Sequence, residues 1–317
     1  MVGNLAVGGS GKSPITEYII RLLKPHYNIA TLSRGYGRTT KGYLEVDTRS
    51  LAKEVGDEPL QFKRKFPNVT VAVCEKRVFG VAKLEKEHDL ILLDDAYQHR
   101  ALKPGLSMLL FDYHTLFGPS CLLPSGPQRE SFVERKRADV LIVTKTPEVF
   151  SPMERRKIGQ HLNPFSHQIV VFSYIKYGGL IPLFEQVNTS IINRETQVLL
   201  ITGIAKPQPM YDYIERYTSK IKQLKYADHY AYNLKDIEKI KSDFHAIAAN
   251  QKIIITTEKD AMRLKDPNFA SILSELPIFI LPIEACIHSS DQIIFDNHIL
   301  NYVRKSTKNS SIHTKKS

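Results

Sequence analysis

The run Ala6-Val7-Gly8-Gly9-Ser10-Gly11-Lys12-Ser13 has the residues needed to cradle a polyphosphate. Its glycines let backbone N–H groups turn inward, and a helix that follows presents its positive N-terminal end. Lys12 can bridge β- and γ-phosphates, and the Ser13 hydroxyl can ligate Mg²⁺. The first position is Ala rather than Gly, so the strict pattern is missed by one residue. Its context compensates: apolar residues precede it, helical periodicity follows, and Pro14 falls in the first turn, where a missing N–H does no harm. A second acidic element, Asp89-Leu-Ile-Leu-Leu-Asp94-Asp95, closes an apolar strand with two carboxylates, the form of a Walker B segment. An acidic pair can simply end a strand at the solvent edge, but about 80 residues after a P-loop in one sheet the Mg²⁺ role for Asp94 or Asp95 is favoured. The pair of motifs predicts an Mg-ATP-binding P-loop kinase.

Other loops are denser in polar groups than plain connections need: Ser33-Arg34-Gly35-Tyr36-Gly37-Arg38, Gly56-Asp57-Glu58-Pro59, Tyr97-Gln98-His99-Arg100, Phe117-Gly118 and Leu123-Pro-Ser-Gly-Pro-Gln-Arg129-Glu130. Long Gly- and Pro-bearing loops at strand C-termini are where α/β proteins bind ligands. Taken alone, Asp57 reads as a helix cap, and Asp228-His229 as an ordinary surface pair.

These loops need a scaffold. Apolar, β-rich runs at 28–32, 69–74, 90–93, 108–111 and 140–144 alternate with helical patterns at 14–23 and 79–86, and with 130–137, which begins acidic and ends basic as a helix dipole favours. Such alternation predicts βαβ units and a doubly wound, mostly parallel sheet of the P-loop NTPase type. Only residues 2–5 remain for the strand leading into the phosphate loop, an abbreviated start that suggests missing upstream sequence. After Lys145 a polar helix is expected at 151–161. Two extended runs, 168–176 and 180–184, then flank Gly178-Gly179 and read as a hairpin linker. A second βα series follows, with strands near 198–202, 253–256 and 278–283 and helices near 210–217, 234–249 and 271–275. The expected organisation is a catalytic lobe over 1–165, a hairpin linker over 166–184, a smaller α/β lobe over 185–303 and a basic, disordered tail over 304–317.

Composition narrows the partners. The apolar fraction of 42% and charged fraction of 24% are ordinary for soluble globular chains, and no apolar run approaches the ~20 residues of a membrane-spanning helix. Three dispersed cysteines, Cys74, Cys121 and Cys286, without a CxxC pair, argue against a disulfide framework or zinc site and for a reducing, cytoplasmic setting. The net charge of +11 favours an anionic partner, but five of those charges lie in the acid-free segment 304–317. The remaining +6 is too dispersed to form a nucleic-acid stripe, so no nucleic-acid partner is expected.

Together the motifs resemble those of the tetraacyldisaccharide 4'-kinases, the lipid A 4'-kinases of lipopolysaccharide synthesis. The resemblance covers nearly the whole chain and rests on eight ordered stretches. They are Val2-Gly-Asn-Leu with the P-loop and Pro14, Ser33 to Arg38, Gly56 to Pro59, Asp94-Asp-Ala-Tyr-Gln-His99, Leu123 to Glu130, Gly203-Ile-Ala-Lys-Pro207, Asp228-His-Tyr230 and Thr257-Glu-Lys-Asp260. It implies ATP-dependent phosphorylation of the 4'-hydroxyl of a tetraacylated glucosamine disaccharide 1-phosphate, with Mg²⁺. It also implies that Asp57 takes the hydroxyl proton with His229 as its dyad partner. Tyr36, Arg77, Gln98 and His99 then contact the sugar and its phosphate, and Arg129 clamps the phosphoryl group beside Lys12. A carboxylate base oriented by an imidazole from another lobe is chemically sensible, since closure would assemble the pair. Two departures stand out. Ala96-Tyr97 replaces the family's usual Gly and aromatic or Leu, without consequence for the metal. Roughly forty residues that family members carry ahead of the P-loop, including an apolar anchor helix, are missing here, which leaves basic loops and an apolar substrate cleft to hold the chain at the cytoplasmic face of the inner membrane. The competing reading is a P-loop NTPase switch or assembly factor, which would need neither the Asp57–His229 pair nor sugar-facing loops.

Overall fold

The computed structural model describes residues 1–119, 121–185 and 192–313. Its strands are, in chain order, β1 (Val2–Asn4), β2 (Ile29–Ser33), β3 (Leu44–Glu45), β4 (Thr70–Val73), β5 (Leu90–Leu93), β6 (Met108–Asp112), β7 (Val140–Thr144), β8 (Ile169–Tyr177), β9 (Ile181–Pro182), β10 (Gln197–Thr202), β11 (Ile221–Lys225), β12 (Lys252–Thr256), β13 (Ile278–Ile280) and β14 (Ile283–Ile287). The helices are α1 (Lys12–Leu23), α2 (Ala52–Val55), α3 (Asp57–Lys65), α4 (Arg77–Leu84), α5 (Pro152–Leu162), α6 (Gln208–Glu215), α7 (Leu234–His245), α8 (Glu258–Leu264), α9 (Pro267–Leu273) and α10 (Ser289–His313).

Continuous apolar runs become the central parallel strands because both of their faces are covered. β2, β6 and β7 are buried at every residue. They belong to two sheets, ordered β3-β4-β2-β5 and β1-β6-β7-β8-β14, which a parallel bridge from Val2 to Asp94 joins edge to edge. Only the outer strands β3 and β14 run antiparallel. The short β1 thus sits at the centre of the combined sheet, all three residues buried, and delivers the chain into the P-loop beside the carboxylate end of β5. Behind that loop α1 buries Ile15, Ile19, Ile20 and Leu23, each contributing about 1.5–3 kcal/mol of apolar burial. The P-loop is therefore anchored on a core element.

The second sheet, β11-β10-β12-β13-β9, is parallel except for β9. Two extended runs expected to form a hairpin do not pair with each other. β8 adds to the first sheet alongside β7, and β9 pairs with β13 in the second. The Gly178-Gly179 segment is instead a crossing between lobes: Gly178 N–H donates to Pro282 O at 2.9 Å, so the outgoing chain runs beside the returning one. The return places β14 against β8 and packs α1 on β14, which puts residues 283–303 with the first lobe rather than the second. The register explains it, because nine residues of β8 offer a partner edge that a two-residue β9 does not.

The expected frayed tail is corrected as well. α10 runs through His313, and only 314–317 lie outside the described residues. Phe295, Ile299 and Val303 are buried at four-residue spacing, and once such a helix is nucleated by packing, extension costs little. The helix expected at 130–137 is a 3-10 turn over Phe132–Arg137, held by ion pairs of Arg137 with Glu130 and Glu134. The helix expected at 271–275 starts earlier, at Pro267, where Asp266 caps it and proline suits the first turn. β3, β11, β14, α2, α8 and α10 had no counterpart in the sequence reading.

Candidate active site

Gly11 caps α1 in the left-handed region, φ 83°, without a side-chain cap. The free N–H groups of the first helical turn therefore point at the loop, as anion binding requires. The loop is braced from two sides. Thr144 Oγ1 donates to Ser10 O at 2.8 Å, and Val7 N–H donates to Pro127 O at 2.7 Å. Ala6 also forms an antiparallel bridge with Gln128, and Arg129 N–H donates to Leu5 O at 2.6 Å. The segment 123–130 is thus a second wall of the phosphate loop. Gly8 and Gly9 are exposed, with Val7, at the mouth; Ser10 and Ser13 are buried beneath it.

Lys12 Nζ donates to Asn4 Oδ1 at 3.1 Å and lies 3.4 Å from Asp95. Asp95 also pairs with Arg129 at 3.2 Å, so Lys12, Asp95 and Arg129 meet where β1 and β5 end. Asp94 is buried and accepts from Thr16 Oγ1 at 3.2 Å. Burial and the nearby carboxylates of Glu58 and Asp95 push its carboxyl up to about 7. Ser13 Oγ donates to Glu58 Oε1 at 2.8 Å. Burial alone would raise Glu58, but Lys259, Lys12 and the Ser13 hydroxyl outweigh it and hold the carboxyl at about 2. The Ser13 hydroxyl and the Asp94 and Asp95 carboxylates are hard oxygen donors, the kind Mg²⁺ takes in small number alongside phosphate oxygens. Ser13, Asp94 and Asp95 therefore fit a Mg²⁺ ion brought in with a nucleotide.

Gly56, at φ 92°, turns the chain so that Asp57 opens α3 one residue before Glu58. A Cβ at Gly56 would meet the Tyr36 carbonyl oxygen at 3.2 Å, so this close approach sets the Tyr36 loop beside Asp57. Asp57 is buried, and its Oδ2 accepts from His229 Nδ1 at 2.9 Å across 172 residues of sequence. The hydrogen bond that His229 donates to Asp57 raises the imidazole above its ordinary value against the opposing effect of burial. His229 sits at φ 56°. Asp95 and Lys145, which contact Lys12 and Gly9 of the P-loop, also have positive φ, 47° and 60°, the kind of backbone strain that accumulates at functional sites. The Tyr36 ring, 71% exposed, stands 5.2 Å from the His229 ring.

The second lobe reaches the first through several ion pairs. α3 packs on α8, Lys259 pairs with Glu58, Lys65 bridges Glu17 and Glu258 at 2.7 Å each, and Lys206 and Lys145 converge on Asp112 at 3.0 and 2.9 Å. Arg263 Nη1 lies 3.5 Å from Asp57 Oδ2. Behind it Asp260, fully buried, accepts from Gly203 N–H at 3.0 Å, Tyr232 Oη at 2.8 Å and Thr257 Oγ1 at 2.6 Å, and pairs with Arg263 at 2.6 Å. Gly203 O in turn accepts from His229 N–H at 3.3 Å. Asp260 thus fixes both neighbours of Asp57.

The other sequence-expected residues lie near the ends of β1, β4 and β5. Arg77 is buried, donates to Cys74 O, and feels Asp94, Asp95 and Arg34. His99 is held below its ordinary value by burial and by the cations Arg77 and Arg34. Gln98 Nε2 donates to Asn4 O at 2.9 Å. Arg129 points at Asp95 rather than outward. Sequence reasoning did not single out Asn4, Glu58, Lys145, Lys259 or Arg263 for a role. Asn4, Glu58 and Lys259 lay inside quoted motifs, whereas Arg263 carries no local signal.

A family model described as tetraacyldisaccharide-1-P 4'-kinase matches residues 1–304. Among curated relatives, the tetraacyldisaccharide 4'-kinase of Bacteroides thetaiotaomicron is 44% identical, with 98% of this chain and 85% of that protein covered. The protein of the same name from Flavobacterium johnsoniae is 40% identical over 96% of this chain and 86% of its own. A crystal structure of LpxK from Aquifex aeolicus in complex with ATP matches with a TM-score of 0.70 at 28% identity, covering 95% of this chain and 87% of that one.

Proposed function

This chain belongs to the tetraacyldisaccharide-1-P 4'-kinase family, and from that premise we propose how its residues divide the work. The protein is a kinase that uses ATP to phosphorylate the 4'-hydroxyl of tetraacyldisaccharide 1-phosphate, giving the lipid A precursor lipid IVA. The loop from Ala6 to Ser13 holds the triphosphate through its backbone N–H groups, and Lys12 neutralises charge between the β- and γ-phosphates. Ser13 with Asp94 or Asp95 would hold Mg²⁺, which would supply further neutralisation of the phosphate oxygens. Asp57 accepts the proton of the 4'-hydroxyl as that oxygen bonds the γ-phosphorus, while the bond from the γ-phosphorus to the bridging oxygen of ADP breaks. His229 holds the carboxylate in place and shares its charge. Arg129 leaves Asp95 to clamp the transferring group. Tyr36, Arg77, Gln98 and His99 receive the sugar and its phosphate.

The observation that carries this reading is the 2.9 Å contact of His229 with Asp57, one residue from the Glu58 that grips Ser13 of the P-loop. An NTPase switch or assembly factor has no use for a proton acceptor built there from two lobes. Among the described residues no helix is long and apolar enough to cross a membrane. We place the chain peripherally at the cytoplasmic face of the inner membrane, supported by its lipid substrate and its net charge of +11. The test is to incubate the protein with Mg-ATP and tetraacyldisaccharide 1-phosphate and weigh the lipid product by mass spectrometry. One added phosphate per disaccharide is expected. ATP hydrolysis with no phosphorylated lipid would overturn the reading in favour of a switch.

A further inference from the structure

We propose that the trough running from Tyr36 to Phe79 seats one acyl chain of the substrate, an inference that rests on the kinase reading above. Two cavities adjoin beside the acceptor site, one of about 380 Å³ along residues 34–41 and one of about 570 Å³ between the loop 41–43 and the start of α4. Lys41 and Glu75 line both, so the two are continuous. Their chemistry differs from end to end. The first is of mixed lining, carries Arg34 and Arg38, and begins at Tyr36, whose ring lies 5.2 Å from that of His229. The second is lined mainly by apolar surface, with Tyr43 and Phe79 among its residues and Lys41 and Lys76 beside them.

The side they share is held by specific bonds. Arg38 pairs with Glu75 at 2.5 Å and donates to Gly42 O at 2.6 Å, while Gly42 N–H donates to Glu75 at 3.0 Å. These bonds fix the 38–42 loop on the end of β4. Beyond it Phe79 and its neighbour Val78 are half exposed, 51% and 50%, and the Lys83 ammonium lies 5.6 Å from the Phe79 ring. An apolar hollow that continues one carrying Arg34 and Arg38 matches a molecule with a phosphorylated sugar at one end and hydrocarbon at the other. Concavity and continuity with the Asp57 edge select a chain of the substrate over a flat bilayer surface.

The experiment compares Phe79→Asp with wild type on two acceptors: tetraacyldisaccharide 1-phosphate, and the same compound with its ester-linked chains removed by base. For the tetraacyl acceptor, KM should rise about tenfold, the loss expected when burial of roughly two methylenes is forfeited, with kcat within about twofold. For the de-esterified acceptor the two enzymes should share one KM. Phe79→Leu should restore the tetraacyl KM, and Phe79→Ser gives the same reading if the charged variant fails to fold. An unchanged tetraacyl KM, or an equal rise for both acceptors, would overturn the proposal. So would a variant whose only defect is weaker binding to phosphatidylethanolamine–phosphatidylglycerol vesicles, which would make the patch a membrane contact. A wild-type protein that phosphorylates neither acceptor would instead refute the kinase reading beneath it.

Discussion

The nucleotide half and the acceptor half of this site are built on opposite plans. The phosphate loop is eight consecutive residues between a buried strand and a helix that buries Ile15, Ile19 and Ile20. Its geometry follows from local backbone: a left-handed Gly11 and the unpaired N–H groups of one helix end. The acceptor half has no such local origin. Asp57 comes from α3, His229 from a turn after β11 and Arg263 from α8, and they meet only because α3 packs on α8. The difference teaches that the invariant chemistry, gripping a triphosphate, can be local, while the selective chemistry depends on two lobes being correctly docked.

This contrast can be broken at the dyad first. Asp57→Ala and His229→Ala should each lower turnover by about 10²–10⁴-fold, the range for a positioned proton acceptor, with ATP affinity little changed. Because they act as one unit, the double variant should be scarcely slower than the worse single variant. Losses that multiply, measured as kcat over the full cycle, would mean two independent residues and no cross-lobe unit. Next in size, Lys12→Ala should cost about 10²–10³-fold through lost charge stabilisation, with the thermal midpoint unmoved because the loop is anchored by α1 rather than by Lys12. Retention of more than about a tenth of wild-type turnover would remove Lys12 from the phosphate grip.

The smallest effect tests docking itself. His229 is raised above the ordinary imidazole value of 6.5 by its bond to Asp57. Its contribution to stability is therefore fully present below pH 6.5 and is lost as pH rises through the raised value. The unfolding free energy of wild type minus that of His229→Ala should be larger at pH 5.5 than at pH 9 by about 1 kcal/mol, the scale of a partly solvated pair. A difference that stays flat across that interval, followed by urea titration, would show that the pair does not titrate as a docking contact.

Much of this was legible in the chain. Runs such as Val140–Thr144 and the glycine spacing before Lys12 determine strand, loop and helix because their causes lie within a few residues: burial on both faces of a strand, permitted φ at glycine, and free N–H groups at a helix end. The doubly wound class and the phosphate grip follow from those alone. The resemblance carried by dispersed motifs pointed to Asp57 and His229, but spacing could not have paired residues 172 positions apart. Local pattern also mistook the crossing at Gly178 for a hairpin. An extended run does not declare which edge it will join, and only the free edge of β8 decided that β14 returns to the first sheet. Arg263 is the clearest case. It lies in an ordinary helical stretch, and only the tertiary structure, through the buried Asp260 that orients it and the packing of α8 on α3, brings its guanidinium to Asp57.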